Sequence, residues 1–388
     1  MIIVNAGIIR IVAIMISYIV NLTILNMVLK DTAGQYYLLF AWSSFFTVIL
    51  VGGFSRYIVR ELGKNSNLEQ SLRKSAYNYI KWVFISATPI VFIAANIKLE
   101  IAILASTIPF VVYLAIENAF LRGKGAYIAG NIEGQIIRPI ILLVILYLGL
   151  FFIDDITIVE LISFYGFGII VSSIIWFVIF SQSPVSNTKK SYTFDNKSLG
   201  NLTTISLAEV AFLQLDIIIL GFLMSSEDIA EYKVALLIRM ALLVPQQAVL
   251  MVLPYFLSKS SGAEYQLYLR AINLAIGFFG VIGNFVLGEE LIVRALGASY
   301  SNVSAYLYPY FLMMICLGII GPTSELLIAD RKDRIVRKAG IISITLNSIL
   351  LVFTVPVYGV PAAIAAGATS YVVFYYICYY YKSRNRST

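Results

Sequence analysis

Apolar runs long enough to cross a bilayer occupy almost the whole chain. A membrane-spanning helix needs about 20 mainly apolar residues to cross ~30 Å of hydrocarbon, and twelve runs in this sequence come close to that length or exceed it. Because 60% of the residues are hydrophobic and only 13% are charged, little of the chain is left for a soluble domain. The sequence therefore predicts an all-α, polytopic integral membrane protein with about 12 transmembrane helices.

The predicted helices are separated by short polar loops. They span residues 4–28, 36–55, 77–97, 99–121, 127–151, 158–180, 200–223, 232–257, 268–288, 304–328, 338–356 and 360–381. The longest polar stretch, from Ser181 to Leu199, divides them into six before it and six after it. We therefore predict an N-lobe (1–183), a cytoplasmic linker (184–199) and a C-lobe (200–388), with the two lobes as parallel repeats.

The distribution of Lys and Arg predicts which side of the membrane each loop faces. If both termini lie inside, the inside segments hold 21 of the 28 basic residues and the outside loops hold four. Cytoplasmic loops carry such an excess of basic residues. We therefore expect both termini to be cytoplasmic. The net charge of +7 lies in short loops between spans, so the bilayer accounts for it and we expect no nucleic-acid partner.

Several kinds of chemistry have no residues to support them in this sequence. The chain contains no histidine, and Cys316 and Cys378 both lie in apolar runs, which disfavours a metal site or a structural disulfide. No phosphate-binding glycine loop, zinc motif or nucleophile elbow occurs. We therefore expect no metal, no cofactor and no catalytic residues, and we do not expect an enzyme.

Some predicted spans carry charged or amide side chains at membrane depth. Such residues cost several kcal/mol unless they face water or a partner, and they commonly serve function. Residues four or seven positions apart share a face of a straight helix. This spacing groups Arg10 with Ser17 and Asn21, then Asn131 with Gln135 and Arg138 (Glu133 facing the other way), then Glu209 with Asp216, and finally Arg239 with Gln246.

The spacing leaves two interpretations of these residues open. Asp216 and Arg239 lie at matching depths in consecutive helices, so they either form a structural salt bridge or line a hydrated cavity. Glu209 and Arg138 have no partner that the sequence identifies.

Two further carboxylates lie near predicted inner helix ends. Glu117 precedes Arg122, and Glu325 precedes Arg331. We expect ion pairs at the membrane boundary for both.

Short motifs give the chain a resemblance to a known family. They are Gly7–Arg10 followed by Leu29–Tyr36, Gly52–Ser55 with Arg60, Phe120–Gly125, Asp216–Gly221 with Glu227–Tyr232, Leu296–Tyr300 and Tyr358–Ala363. With these motifs the sequence resembles the bacterial polysaccharide-unit flippases, which move O-antigen or capsule repeat units. They belong to the multidrug/oligosaccharidyl-lipid/polysaccharide exporter superfamily, and the likeness extends over nearly the whole chain.

The resemblance implies an architecture and a cargo. It implies two six-helix lobes around a central cavity that opens alternately to either side of the bacterial inner membrane. The implied cargo is an oligosaccharide linked to undecaprenyl diphosphate, and the implied partners are membrane lipids, a polymerase and a chain-length regulator of the same pathway. Arg10 stands where the family often has a basic residue, whereas Asn26 stands where a second one usually occurs.

The predicted substrate site is a cationic cavity. Three arginines are expected to hold the diphosphate or acidic sugars, together with three amides: Arg10, Arg138, Arg239, Asn21, Gln135 and Gln246. Glu209 and Asp216 are expected either to couple transport to H⁺ or Na⁺ or to pair with arginine. One alternative function is a cation-coupled multidrug antiporter of the same superfamily, and another is a polytopic O-unit polymerase or glycosyltransferase. The first predicted helix has no acidic residue, which disfavours the antiporter, and no outer loop is large, which disfavours the enzyme.

Overall fold

The computed structural model describes residues 2–126, 129–153, 155–180, 192, 194–257, 262–321, 323–329 and 332–384. Within these ranges it does not describe the side chains of residues 2–11, 150, 180, 209, 212, 245–257, 262–265, 325, 328, 329 and 333. All regular structure in the described ranges is helical. The predicted all-α fold class is therefore confirmed.

The α-helices follow the predicted apolar runs. They are α1 (Ile2–Met27), α2 (Lys30–Lys64), α3 (Glu69–Ala95), α4 (Leu99–Gly123), α5 (Ala129–Ile132), α6 (Arg138–Leu150), α7 (Ile158–Phe180), α8 (Asn196–Leu223), α9 (Ser226–Leu257), α10 (Gly262–Leu296), α11 (Val303–Tyr306), α12 (Tyr308–Ile320), α13 (Thr323–Ala329), α14 (Asp333–Tyr358) and α15 (Val360–Arg384). In the described part of the chain, nine helical segments are long and apolar enough to cross a membrane. Two parts of α8, bent by 60°, make a tenth if they are counted as one span. The chain is a multi-pass membrane protein.

Two helices are much longer than their predicted spans. Both α2 and α10 have 35 residues, whereas the sequence predicts helices over 36–55 and 268–288. Hydropathy detects only the apolar part of a helix, which lies in the lipid. The polar turns of these helices continue with intact backbone hydrogen bonds into regions that the sequence assigns to loops.

Two predicted spans are interrupted. A π-helical turn over Glu133–Ile137 separates α5 from α6. It ends two residues before Pro139, whose missing N–H removes one backbone donor from the helix. Gly321 ends α12 with a φ of 80°, a value that favours glycine. Beside this break, Arg270 Nη2 donates to the carbonyl oxygen of Ile320 at 3.1 Å, which satisfies a backbone acceptor that a continuous helix would have used.

The chain divides into two compact units. Unit 1 contains Met1–Ile14, Leu29–Tyr37 and Leu215–Thr388, and unit 2 contains Met15–Val28 and Leu38–Gln214. The lobe boundaries that we placed at the linker stay a prediction.

The core of unit 2 joins α2, α3 and α4. Ile58, Leu72, Val112 and Ile116 are completely buried there. Because lipid is as apolar as these side chains, close packing rather than escape from water stabilises such an interface within the membrane.

Unit 1 has a seam of glycines between α10 and α12. A Cβ atom at Gly277 would lie 2.9 Å from the backbone nitrogen of Ile315, and a Cβ atom at Gly318 would lie 2.9 Å from that of Leu274. Such small residues let the helix backbones approach closely, which is how membrane helices maximise van der Waals contact.

Three of the resemblance motifs meet in unit 1, in a group that we call the outer cluster. Its members are Lys30, Gly34, Ser226, Glu231 and Tyr300. A Cβ atom at Gly34 would lie 1.7 Å from the carbonyl oxygen of Ser226, so the first turns of α2 and α9 touch. Lys30 pairs with Glu231 at 2.5 Å and lies 5.6 Å from the centre of the Tyr300 ring. The motifs therefore specify how these segments pack.

Replacing Gly34 with alanine should destabilise unit 1. The new methyl group would overlap a backbone oxygen that cannot rotate away, and overpacking of this kind costs about 1–3 kcal/mol. Gly63→Ala, in the same helix, is the matched control because nothing lies within 4 Å of its added Cβ. Thermal unfolding in detergent should show a lower midpoint for Gly34→Ala and an unchanged or higher one for Gly63→Ala. Equal midpoints would contradict the close contact.

Candidate functional site

A group of polar side chains lies within unit 1, and we call it the cationic cluster. It consists of Asp216 on α8, Tyr232, Lys233 and Arg239 on α9, and Tyr310 on α12. Asp216 is only 5% exposed. Its carboxylate accepts hydrogen bonds from the Tyr232 hydroxyl at 2.6 Å and from the backbone nitrogen of Ile217 at 2.8 Å. A buried carboxylate needs such donors.

The two basic residues of the cationic cluster lack an acidic partner. In the described part of the chain, no carboxylate lies within 4 Å of Lys233 or Arg239. Lys233 lies 4.9 Å from the centre of the Tyr37 ring, and Arg239 lies 5.6 Å from that of Tyr310. The Nε atom of Arg239 is buried and has no hydrogen-bond partner among the described residues.

Of the two interpretations left open for Asp216 and Arg239, the structure does not form the salt bridge. The prediction matched the two residues by their depth in consecutive helices. The structure instead places the Tyr232 hydroxyl on the Asp216 carboxylate. Tyr232 is seven residues before Arg239 and lies on the same helix face. Its hydroxyl occupies the carboxylate, and the Arg239 guanidinium lies against the Tyr310 ring instead.

A glycine on α15 leaves space beside the guanidinium. A Cβ atom at Gly367 would lie 3.6 Å from Arg239 Nη1 and 3.8 Å from the Tyr232 hydroxyl oxygen. The cluster thus combines two cations with one carboxylate and presents hydrogen-bond donors. An anion that accepts from Arg239 would satisfy the buried Nε atom, because an unsatisfied buried donor costs about 1–3 kcal/mol.

In unit 2, a buried carboxylate has all its partners within the protein. Glu133 is completely buried, and four donors surround its carboxylate. Arg138 Nε and Nη2 donate at 2.9 Å each, Asn118 Nδ2 donates at 2.8 Å, and the Ser172 hydroxyl donates at 2.8 Å. This bidentate ion pair is fully hydrogen-bonded, as a buried pair must be to be stable.

Two predictions about α5 and α6 are therefore wrong. The sequence placed Glu133 on the face opposite Arg138 and found no partner for Arg138. The π-helical turn inserts an extra residue into the helix, so residues five apart come together. Arg138 is neutralised by Glu133. The role of Gln135 in substrate binding stays a prediction.

The predicted boundary ion pair of Glu117 exists with a different arginine. Arg73 Nη1 lies 2.9 Å from Glu117 Oε2, and the Tyr77 hydroxyl donates to Glu117 Oε1 at 2.7 Å. Arg122, the expected partner, bonds elsewhere. Proximity in the sequence favoured Arg122, which lies in the same helix as Glu117. The packing of α3 against α4 instead brings Arg73 to Glu117.

The remaining predicted site residues are not brought together by the described contacts. Asn21 Nδ2 donates to the Ser17 carbonyl oxygen at 2.6 Å, a local bond within α1. The side chains of Arg10, Glu209, Gln246 and Glu325 lie outside the described residues, as does Arg331. The 60° bend of α8 falls between Asn196–Ala208 and Leu213–Leu223, so the straight-helix spacing that placed Glu209 and Asp216 on one face does not apply.

Sequence reasoning missed Tyr232, Lys233, Tyr310 and Gly367. The seven-residue spacing of Tyr232 and Arg239 was the signal that could have identified the first of these. Nothing local marks Tyr310 or Gly367, because they reach the cluster from distant helices. Among the described residues, no group of three His, Cys, Asp or Glu residues could hold a metal ion.

Solved transporter structures share this fold. The lipid II flippase MurJ in an inward closed conformation matches with a TM-score of 0.74 and 15% identity, over 98% of this chain and 87% of that chain. An inward-facing multidrug resistance MATE transporter of the MOP superfamily matches with a TM-score of 0.70 and 13% identity, over 98% of each chain. A MOP-superfamily transporter from Pyrococcus furiosus, described as having a binding pocket of reverse polarity, matches with a TM-score of 0.61 and 12% identity. The match covers 99% of this chain and 95% of that chain.

The likeness establishes the fold. This chain has the fold of these solved transporters. No protein-family model matches the chain, and no curated protein matches its sequence.

Replacing Glu133 with glutamine should destabilise unit 2 strongly. The change leaves Arg138 without its counter-charge, and removing one partner of a buried ion pair costs about 3–5 kcal/mol. Glu290→Gln is the matched control because Glu290 pairs with Arg294 at 2.5 Å on the surface, with 54% of its side chain exposed, where a pair contributes about 0–1 kcal/mol. Thermal unfolding in detergent should separate the two variants clearly. Similar midpoints would show that the Glu133 network is not structural.

Proposed function

We propose that this chain is a flippase for oligosaccharides linked to undecaprenyl diphosphate. It would move O-antigen or similar surface-polysaccharide units from the inner to the outer leaflet of the bacterial inner membrane by alternating access. Both termini would be cytoplasmic. A polymerase and a chain-length regulator of the same pathway would be its partners.

One observation carries this proposal. Arg239 keeps a buried, unpartnered Nε atom beside Lys233 in a cluster that contains one described carboxylate. Guanidinium groups bind phosphate with paired hydrogen bonds, and they are less strongly hydrated than ammonium groups. A diphosphate supplies the acceptors and the negative charge that the cluster lacks.

The energetics of the cargo require such a site. Moving a bare ionised group into hydrocarbon costs tens of kcal/mol, so the diphosphate must exchange its hydration for protein donors while the polyprenyl chain stays in lipid. An inside-negative membrane potential assists the outward step. Two negative charges moving outward gain about 4–5 kcal/mol per 100 mV.

The multidrug antiporter is the second candidate, because MATE transporters share the fold. A cation-binding site needs carboxylates that are not already paired. Among the described carboxylates of the spans, Glu133 is paired with Arg138 and Glu117 with Arg73. Asp216 is bonded to the Tyr232 hydroxyl beside two basic residues, which disfavours an organic cation there. Helix α1 contains no acidic residue. The flippase therefore fits the described charges better.

The enzyme alternative has less support. A polymerase or glycosyltransferase needs room for an active site in a loop between helices. The loop that carries Asp155 connects α6, which ends at Leu150, to α7, which begins at Ile158. A connection of this length can turn the chain and holds no catalytic domain.

The proposal extends to the driving ion. Asp216 is the carboxylate of the cationic cluster, and it accepts a hydrogen bond from the titratable Tyr232 hydroxyl. It also interacts electrostatically with Lys233 and Arg239. Asp216 would therefore couple transport to H⁺ or Na⁺, together with Glu209. No other cofactor is required.

Arg239→Gln should abolish most flipping. In proteoliposomes that contain a fluorescent undecaprenyl-diphosphate oligosaccharide, we expect at least a tenfold lower rate, since hydrogen bonds to charged groups contribute about 1.5–3 kcal/mol. Arg294→Gln is the control, because it removes an arginine that is 76% exposed and paired with Glu290. The assay is run with and without imposed H⁺ and Na⁺ gradients, and both variants are first checked for correct insertion.

Two results would contradict the proposal. Equal flipping by Arg239→Gln and the unmodified chain would remove Arg239 from the site. Gradient-driven uptake of a lipophilic cation such as tetraphenylphosphonium, without flipping of the lipid-linked oligosaccharide, would establish the antiporter instead.

A further inference from the structure

Almost all carboxylates at one end of unit 2 already form ion pairs or hydrogen bonds within the protein. This end, which we call the inner end because its charges predict a cytoplasmic location, comprises residues 55–73 and 117–124 with the start of α8. Its contacts are Glu61 with Arg60 and Lys64 at 2.9 and 3.7 Å, Glu69 with Arg73 and Lys124 at 3.1 and 2.6 Å, and Glu117 with Arg73 at 2.9 Å. Asp195 accepts from the backbone nitrogens of Lys197 and Ser198 at the start of α8.

Arg122 is left out of this pairing. Its Nη2 atom donates to the Ser55 hydroxyl at 3.0 Å, and its Nε atom donates to the Asn118 carbonyl oxygen at 3.3 Å. Both acceptors are neutral. In the described part of the chain, no carboxylate lies within ion-pair distance of Arg122, and its Nη1 atom makes no hydrogen bond. The neighbouring Arg56 repels it electrostatically.

Glycines allow the Arg122 stem to pack closely against its neighbours. A Cβ atom at Gly130 would lie 2.6 Å from Arg122 Cγ, and a Cβ atom at Gly123 would lie 2.9 Å from Leu62 Cβ. The Arg122 stem therefore passes against α5, while the end of α4 packs against α2. An arginine held in this way loses little side-chain entropy when it binds a ligand.

We infer that Arg122, positioned by Ser55, binds the phosphate group of a lipid in the inner leaflet. Phosphate satisfies a guanidinium with two parallel hydrogen bonds. The Ser55 hydroxyl donates to the Ala115 carbonyl oxygen at 3.3 Å and accepts from Arg122, so it positions the guanidinium. A lipid phosphate also lies at the depth where this end of the helices meets the membrane surface, and anionic headgroups are attracted to basic residues there. The site is separate from the cationic cluster and does not depend on the proposed function.

The test measures lipid binding by the purified full chain. Native mass spectrometry in detergent follows the titration of three lipids: phosphatidylglycerol, undecaprenyl diphosphate and phosphate-free diglucosyl diacylglycerol. Arg122→Gln should weaken binding of the two phosphate lipids about tenfold, as expected for the loss of a charged hydrogen-bonded partner. Binding of the phosphate-free lipid should not change.

Lys64→Gln is the matched control. It removes the same charge from the same end, but Lys64 is 66% exposed and pairs with Glu61, so lipid binding should change less than about twofold. Ser55→Ala keeps the Arg122 charge and should weaken binding about threefold, so it provides a second test if Arg122→Gln folds poorly. Equal effects of Arg122→Gln and Lys64→Gln, or an equal loss of the phosphate-free lipid, would overturn the site.

Competition identifies the source of the phosphate. If undecaprenyl diphosphate displaces phosphatidylglycerol at a tenfold lower concentration, the site receives a polyprenyl lipid. If the two lipids compete equally, it holds an ordinary phospholipid. Displacement of both by inorganic phosphate from the unmodified chain, and not from Arg122→Gln, would further support recognition of phosphate.

Discussion

A charge inside a bilayer is stable only when a partner, water or a ligand replaces the water that it has lost. The buried carboxylates of unit 2 meet this condition internally, since Glu133 accepts four hydrogen bonds and Glu117 accepts three. The cationic cluster of unit 1 does not, because the described contacts leave Arg239 against an aromatic ring with one buried donor unsatisfied. This contrast separates charges that hold the fold together from charges that are available for a ligand.

Close backbone contacts set where these charges lie. Gly34 lets α2 touch α9 in unit 1, Gly318 lets α12 approach α10, and Gly130 admits the Arg122 stem in unit 2. Membrane helices gain little from burying apolar surface, so van der Waals contact of this kind determines their spacing. Gly34 lies in one of the motifs on which the resemblance rests, so this motif reports the fold rather than the substrate.

The sequence was sufficient for the all-α membrane fold, because length and hydropathy decide whether a helix can span lipid. It was insufficient for the charged side chains, and the errors have a common cause. Arg138 acquired a partner through a π-helical turn, Glu117 acquired Arg73 from a neighbouring helix, and Asp216 took Tyr232 instead of Arg239. Helical spacing gives the face on which a residue lies. It does not give helix irregularities or the residues that other helices contribute, such as Tyr310.

The central claim is that Arg239 is unpaired because its partner is the diphosphate of the cargo. Cryo-electron microscopy of the chain with undecaprenyl diphosphate tests this claim most directly. We expect phosphate density within about 2.7–3.2 Å of the Arg239 guanidinium nitrogens, with Asp216 still bonded to Tyr232. Phosphate density only at other sites, with Arg239 paired to a carboxylate of the chain, would contradict it.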